Sequence, residues 1–181
     1  MGNVIGQPVQ KQAIDPNISI VFENMVAEWG VVPFAELSVL LVHLRFLTMV
    51  HQTHHWITKG DAFFGDHLLF ERLYNETVAE VDALAEKSIG LGGTDNVNIV
   101  LQTSQVMRLV SGYGSSTTLP HPSDLARRSL AAECNFLKTA AIACERMKEN
   151  SSLSRGLDNL LASIQDTHEG HIYLLKQRTK G

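Results

Sequence analysis

His67, Glu71, Asp82 and Glu86 are metal-ligand residue types set at intervals that place them on one face of a helix. His67 and Glu71 are spaced i, i+4, and so are Asp82 and Glu86. At about 100° per residue, the four positions fall within roughly 100° of one another around the axis. Along that axis, however, His67 and Asp82 stand about 22 Å apart. One ion cannot touch both ends of such a helix. It can touch both kinds of donor if a second copy lies antiparallel across a two-fold axis, so that His67 and Glu71 of one copy face Asp82 and Glu86 of the other. Imidazole and carboxylate together suit iron, zinc or manganese, and a mixed set with open positions suits redox chemistry at iron.

A second group of imidazoles precedes this helix. His51, His54 and His55 are followed directly by Trp56. His51 and His55 share a helical face, and His54 lies about 100° from His55. At His51 the spacing is consistent with an added ligand, a support for a ligand, or a polar residue lining the interface. The last helix carries Asp166, His168, Glu169 and His171. Bundle-centred di-iron sites use Glu-x-x-His motifs on inward faces. No glutamate here has histidine three positions on, which argues against a centre inside one bundle.

These residues need long helices to hold them. Pro33 and Gly60 bracket a first one, in which Leu37, Leu40, Leu41, Leu44 and Leu47 follow helical spacing. The second runs from about Ala62 to the Gly-Leu-Gly-Gly stop at 90–93. Asn96 to Val110 forms a short linking helix, and Ser111 to Pro122 is a loop rich in Gly, Ser, Thr and Pro. Ser123 or Asp124 caps a third long helix reaching Asn150, and a Ser-rich turn at 151–154 leads into the fourth, ending near Lys176. No strand-like alternation is present. The expected fold is all-α, a ferritin-like four-helix bundle with a short helix in the long crossover between helices two and three. Residues 1–32 read as an N-terminal tail or arm containing a short amphipathic piece at Ile18 to Gly30. The four-helix domain spans 33–178 and a C-terminal tail 179–181.

The composition is that of an ordinary globular chain of 181 residues, 44% hydrophobic and 19% charged, with a net charge of −4. Cys134 and Cys144 lie about 15 Å apart along one helix, too far for a disulfide, and read as buried thiols in a reducing compartment. With no signal-like N-terminus and no apolar run of spanning length, the expected location is cytoplasmic and no membrane partner is expected.

His55-Trp56, Gly60, Phe64, His67, Asp82, Ala85-Glu86 and Leu91-Gly92-Gly93 resemble the signature of the Dps-type mini-ferritins, within the ferritin-like superfamily. The intervals match as well: twelve residues from His55 to His67, fifteen to Asp82 and four to Glu86. His171-Ile-Tyr-Leu-Leu is similar to that family's closing His-x-aromatic-x-Leu run. The resemblance implies a hollow homododecamer with mono- or di-iron ferroxidase sites at its two-fold interfaces. His55, His67 and Glu71 would come from one subunit and Asp82 and Glu86 from its partner. His55, His67, Asp82 and Glu86 are the implied catalytic set. Glu71 stands where the family usually has Asp. The implied activity is oxidation of Fe(II), by hydrogen peroxide in preference to oxygen, with storage of ferric mineral and protection against oxidative stress. Trp56 would scavenge stray oxidising equivalents. His171 is expected to pack or hydrogen-bond within the fold.

Two other functions compete with this one. A DNA-protecting nucleoid protein is not favoured, because Lys11 is the only basic residue in 1–32 and the C-terminal stretch adds only Lys176, Arg178 and Lys180. A shell that buffers zinc is the other alternative, since surplus imidazole raises zinc affinity.

Overall fold

The computed structural model describes residues 16–113 and 122–180, and every regular element among them is helical. The helices are α1 (Pro16–Glu28), α2 (Ala35–Ile57), α3 (Phe63–Gly92), α4 (Ile99–Tyr113), α5 (Pro122–Glu149) and α6 (Arg155–Arg178), with a 3₁₀ turn at Thr94–Val97. Each expected long helix is present within a few residues of its expected ends. α2 packs on α3 and α5, and α6 packs on α5 and α3, which closes the four-helix bundle. The 3₁₀ turn and α4 occupy the crossover between α3 and α5, and α4 lies against α2. No helix among the described residues is long and apolar enough to cross a membrane.

α2 is the axis of the structure. Residues 35–44 are buried all round, because α1 and α4 cover the faces that the bundle leaves open. The chain enters α2 through Phe34 in the left-handed region, with φ of 57°. It leaves through Thr58, whose amide donates to the His54 carbonyl, and turns at Gly60 with φ of 86°. α6 starts on a serine cap, with Ser154 Oγ accepting from the Leu157 amide at 3.2 Å.

The amphipathic piece at Ile18 to Gly30 becomes α1 and docks on α2 and α5 through Phe22, Met25, Val26 and Trp29. Trp29 Nε1–H donates to Gln105 Oε1 at 3.1 Å, and Gln105 Nε2 donates to the Met25 carbonyl at 2.8 Å. Residues 1–15 of the expected tail, and 114–121 of the expected loop, lie outside the described residues.

The core is split. A large apolar cluster includes Leu44, Leu47, Leu84, Phe136 and Ile164, and a smaller one holds Phe70, Leu73, Leu125, Ala126 and Leu175. Between them, on all four bundle helices, sits a layer of buried polar side chains: His51, His54, Thr77, Ser129, Glu133, His168 and His171.

Candidate metal sites

The two ends of the α2–α3 hairpin bring His55 and His67 together. Their rings stack with centroids 3.8 Å apart. His55 Nδ1 lies 3.0 Å from the His67 carbonyl oxygen, and His67 Nδ1 lies 3.2 Å from the His55 carbonyl oxygen. A ring nitrogen facing a carbonyl must carry the proton and donate it, which leaves Nε2 of each ring with a free lone pair. This is how metal-binding imidazoles are commonly fixed in tautomer and direction. Phe63 stacks on His67 from the other side at 5.1 Å, and Tyr74 meets His55 edge-on.

Glu71 is half-buried one turn along α3, while Asp82 and Glu86 are exposed at its far end. Among the described residues none of these three carboxylates makes an ion pair. The face they share is unusually apolar for a surface: Leu68, Val78 and Ile89 are 40–47% exposed on α3, beside Trp56 and Phe64. α3 buries a narrow stripe of Asp66, Phe70, Leu73, Thr77, Leu84 and Ser88. Within one chain, then, His55 and His67 meet near Glu71, and Asp82 and Glu86 stand apart from them on the same helix.

The imidazoles of His51 and His54 turn the other way. The expectation that His51 shares a site with His55, or lines an interface, does not hold. His51 is fully buried inside the bundle, its Nε2 at 2.7 Å from Glu133 Oε1 and its Nδ1 at 3.2 Å from Ser129 Oγ. His54 Nδ1 meets the same Ser129 hydroxyl at 2.8 Å. Burial, reinforced by His51 and Arg128, pushes His54 down to about 3, so it stays neutral.

Glu133 of α5 is the centre of this layer. Its Oε2 lies 2.5 Å from His168 Nδ1, and its Oε1 lies 3.1 Å from His171 Nδ1. The outer nitrogens of those two rings reach carboxylates of α3: His168 Nε2 to Glu80 at 2.8 Å and His171 Nε2 to Glu76 at 2.8 Å. His171 therefore does hydrogen-bond within the fold, as expected. Burial opposes charge on Glu133, but the hydrogen bonds from His168, His171 and His51 outweigh it and hold the carboxyl well below its usual range. Burial likewise opposes charge on His168, yet Glu133 and Glu80 raise it to about 9. One donor atom from each of Glu133, His168 and His171 can be chosen so that all lie within 4.8 Å of one another, close enough to share a metal ion.

No Glu-x-x-His motif marks this layer in the sequence, because its members are drawn singly or in pairs from four helices. A signal was present all the same. Ala126, Ser129, Glu133, Phe136, Ala140, Ala143 and Met147 repeat with core spacing on α5, and Leu161, Ile164, His168, His171 and Leu175 do so on α6. A carboxylate and two imidazoles thus occupy positions that the periodicity assigns to the core.

Structures of known proteins share this helical fold. DpsC from Streptomyces coelicolor superposes with a TM-score of 0.69 at 20% identity, over 97% of this chain and 95% of that one. Dps from Thermosynechococcus elongatus gives a TM-score of 0.67 at 20% identity, over 89% and 93%. The fold is that of the Dps-type mini-ferritins. Sequence likeness to Dps proteins is local. The chain is 32% identical to DNA protection during starvation protein 2 of Bacillus anthracis over 85 residues, 47% of this chain and 44% of that protein. It is 50% identical to general stress protein 20U of Bacillus subtilis over 40 residues, 22% of this chain and 28% of that protein. The chain thus aligns with less than half the length of these curated relatives. No family model matches the chain.

Proposed function

We propose that this chain is the subunit of a dodecameric iron-oxidising and iron-storing shell whose ferroxidase sites are shared between two-fold related copies. Ferrous iron is the substrate. His55, His67 and Glu71 of one subunit bind it together with Asp82 and Glu86 of the neighbour. Hydrogen peroxide is the preferred oxidant over oxygen. Two ferrous ions each give one electron, the peroxide O–O bond takes both and breaks, and hydrolysis of the ferric ions yields oxyhydroxide mineral and releases protons to water. Because both electrons arrive at a single site, hydroxyl radical is not released.

The observation that carries this reading is the His55–His67 pair, with each Nδ1 committed to the other residue's carbonyl and each Nε2 free. Such a pair is half a site. The unpaired carboxylates Asp82 and Glu86, on the same helix but about 22 Å away, are a second half that only another copy can bring near. The apolar side chains around them give that copy a surface to cover. The Dps fold and the partial identity to DNA protection during starvation protein 2 of Bacillus anthracis agree with this reading.

The test is anaerobic loading of the assembled protein with Fe(II), followed by peroxide or oxygen, with ferric absorbance as the readout. Wild type is expected to react fast with peroxide and more slowly with oxygen. Asp82→Ala/Glu86→Ala is expected to lose at least about tenfold in peroxide-driven rate. Equal rates in the two proteins would overturn the proposal.

A further inference from the structure

We propose that the polar layer inside the bundle is a second metal site, separate from the shared surface site, in which Glu133, His168 and His171 hold one divalent first-row transition ion, with His51 hydrogen-bonded to Glu133 beside it. Three imidazoles from α2 and α6 each turn one ring nitrogen onto the same α5 carboxylate, at 2.7, 2.5 and 3.1 Å. The remaining nitrogen of each ring is already anchored: His168 on Glu80, His171 on Glu76 and His51 on the Ser129 hydroxyl. Imidazoles that bind metal are held by their other nitrogen in this way, most often by a carboxylate. The layer therefore has three donors within 4.8 Å of one another and an orienting carboxylate behind both ligand rings.

The spacing fits an ion. Donors about 2.05 Å from a tetrahedral zinc-like centre stand about 3.3 Å from one another. Glu133, His168 and His171 offer one donor atom each within 4.8 Å of one another, and the two contacts to Glu133, at 2.5 and 3.1 Å, need to open by less than about 1 Å to reach that separation. A nitrogen-rich set with one carboxylate suits zinc, ferrous iron or cobalt, and does not suit magnesium or calcium, which take oxygen ligands.

The energetics also ask for a cation. Glu133, His51 and His168 are wholly shielded from solvent, between two apolar clusters. Buried ionic networks seldom add stability over apolar replacements. Among the described residues Glu133, at 0% exposure, is met by imidazoles alone, and a charge at that depth must be paired or coordinated, by protons on those rings or by an ion in their place. Side-chain exposure falls from 37% at Glu76 to 13% at Glu80 and to 0% at Glu133, so the carboxylates grade from the α3 surface to the buried centre.

Cobalt(II) is the probe. The full-length protein is stripped with chelator, loaded anaerobically, desalted, and read by metal analysis and visible absorption. In His67→Ala/Asp82→Ala/Glu86→Ala, which cripples the surface site, about one cobalt per chain and the absorption bands of low-coordinate cobalt are expected to remain. Adding Glu133→Gln/His171→Gln to that background is expected to remove at least nine-tenths of both. Cobalt absent from the surface-site variant overturns the proposal, and so does cobalt undiminished by the bundle substitutions. If the bundle substitutions prevent folding, the surface-site variant decides alone, because the bundle site lies within one chain and survives dissociation.

Discussion

His43 is buried on α2, and its Nδ1–H donates to the Val39 carbonyl at 3.0 Å. Burial pushes its pKa below the ordinary 6.5, although the bond to Val39 resists. The folded chain therefore keeps His43 neutral at a pH where the unfolded chain takes up a proton. Stability from this residue is complete above about pH 6.5 and drains away as pH falls below it. Urea unfolding of metal-free protein between pH 7.5 and 5 is expected to show wild type losing ground to His43→Gln, by no more than about 1.4 kcal/mol per pH unit. A constant gap between the two proteins would mean that His43 titrates alike folded and unfolded. At the candidate sites, what could be read in the sequence depended on how each residue reveals itself. His67, Glu71, Asp82 and Glu86 lie on one helix, so helical arithmetic alone places them on one face. Glu133 and His51 are 82 positions apart, and no local spacing announces a contact made by tertiary packing.

The joint between α3, the 3₁₀ turn and α2 shows the same contrast at the scale of elements. Gly-Leu-Gly-Gly reads as a helix stop, and α3 does end at Gly92. The physical need for glycine there appears only in three dimensions. A Cβ on Gly92 would lie 2.5 Å from the Pro33 carbonyl oxygen and 2.3 Å from Asn96 Oδ1. Gly93 follows with φ of 92°, which side chains rarely adopt. Asn96 Nδ2 in turn donates to the Pro33 carbonyl at 2.8 Å and to Ser38 Oγ at 3.1 Å, tying the end of α3 to the start of α2. Gly92→Ala must displace backbone here and is expected to cost about 1–3 kcal/mol, seen as a lower Tm. An unchanged Tm would show that the joint yields freely. Gly90→Ala, with nothing within 4 Å of its Cβ, is the matched control and should be neutral or slightly stabilising. Helix lengths and order were legible because periodicity and caps are local. The docking of α1 was not, since it depends on Trp29 meeting Gln105 from 76 residues away.

At the scale of the whole molecule, the two proposed metal sites make opposite demands on assembly, and one double substitution can separate them. The surface site needs a neighbour, and the bundle site needs only its own four helices. Leu68 and Val78 are 46% and 47% exposed on the α3 face that carries Glu71, Asp82 and Glu86. Neither residue belongs to the buried core, so aspartate at both positions should leave helicity and the fold of a single subunit intact. It does place charge on the face where the proposed neighbouring copy would bury apolar surface, and a two-fold interface would meet that charge twice. Leu68→Asp/Val78→Asp is expected to sediment as single chains or small oligomers, to lose peroxide-driven iron oxidation along with the shell, and to keep about one cobalt per chain in the bundle. Dissociated chains that still oxidise iron quickly with peroxide would place the ferroxidase within one subunit, and the layer around Glu133 would then be its seat.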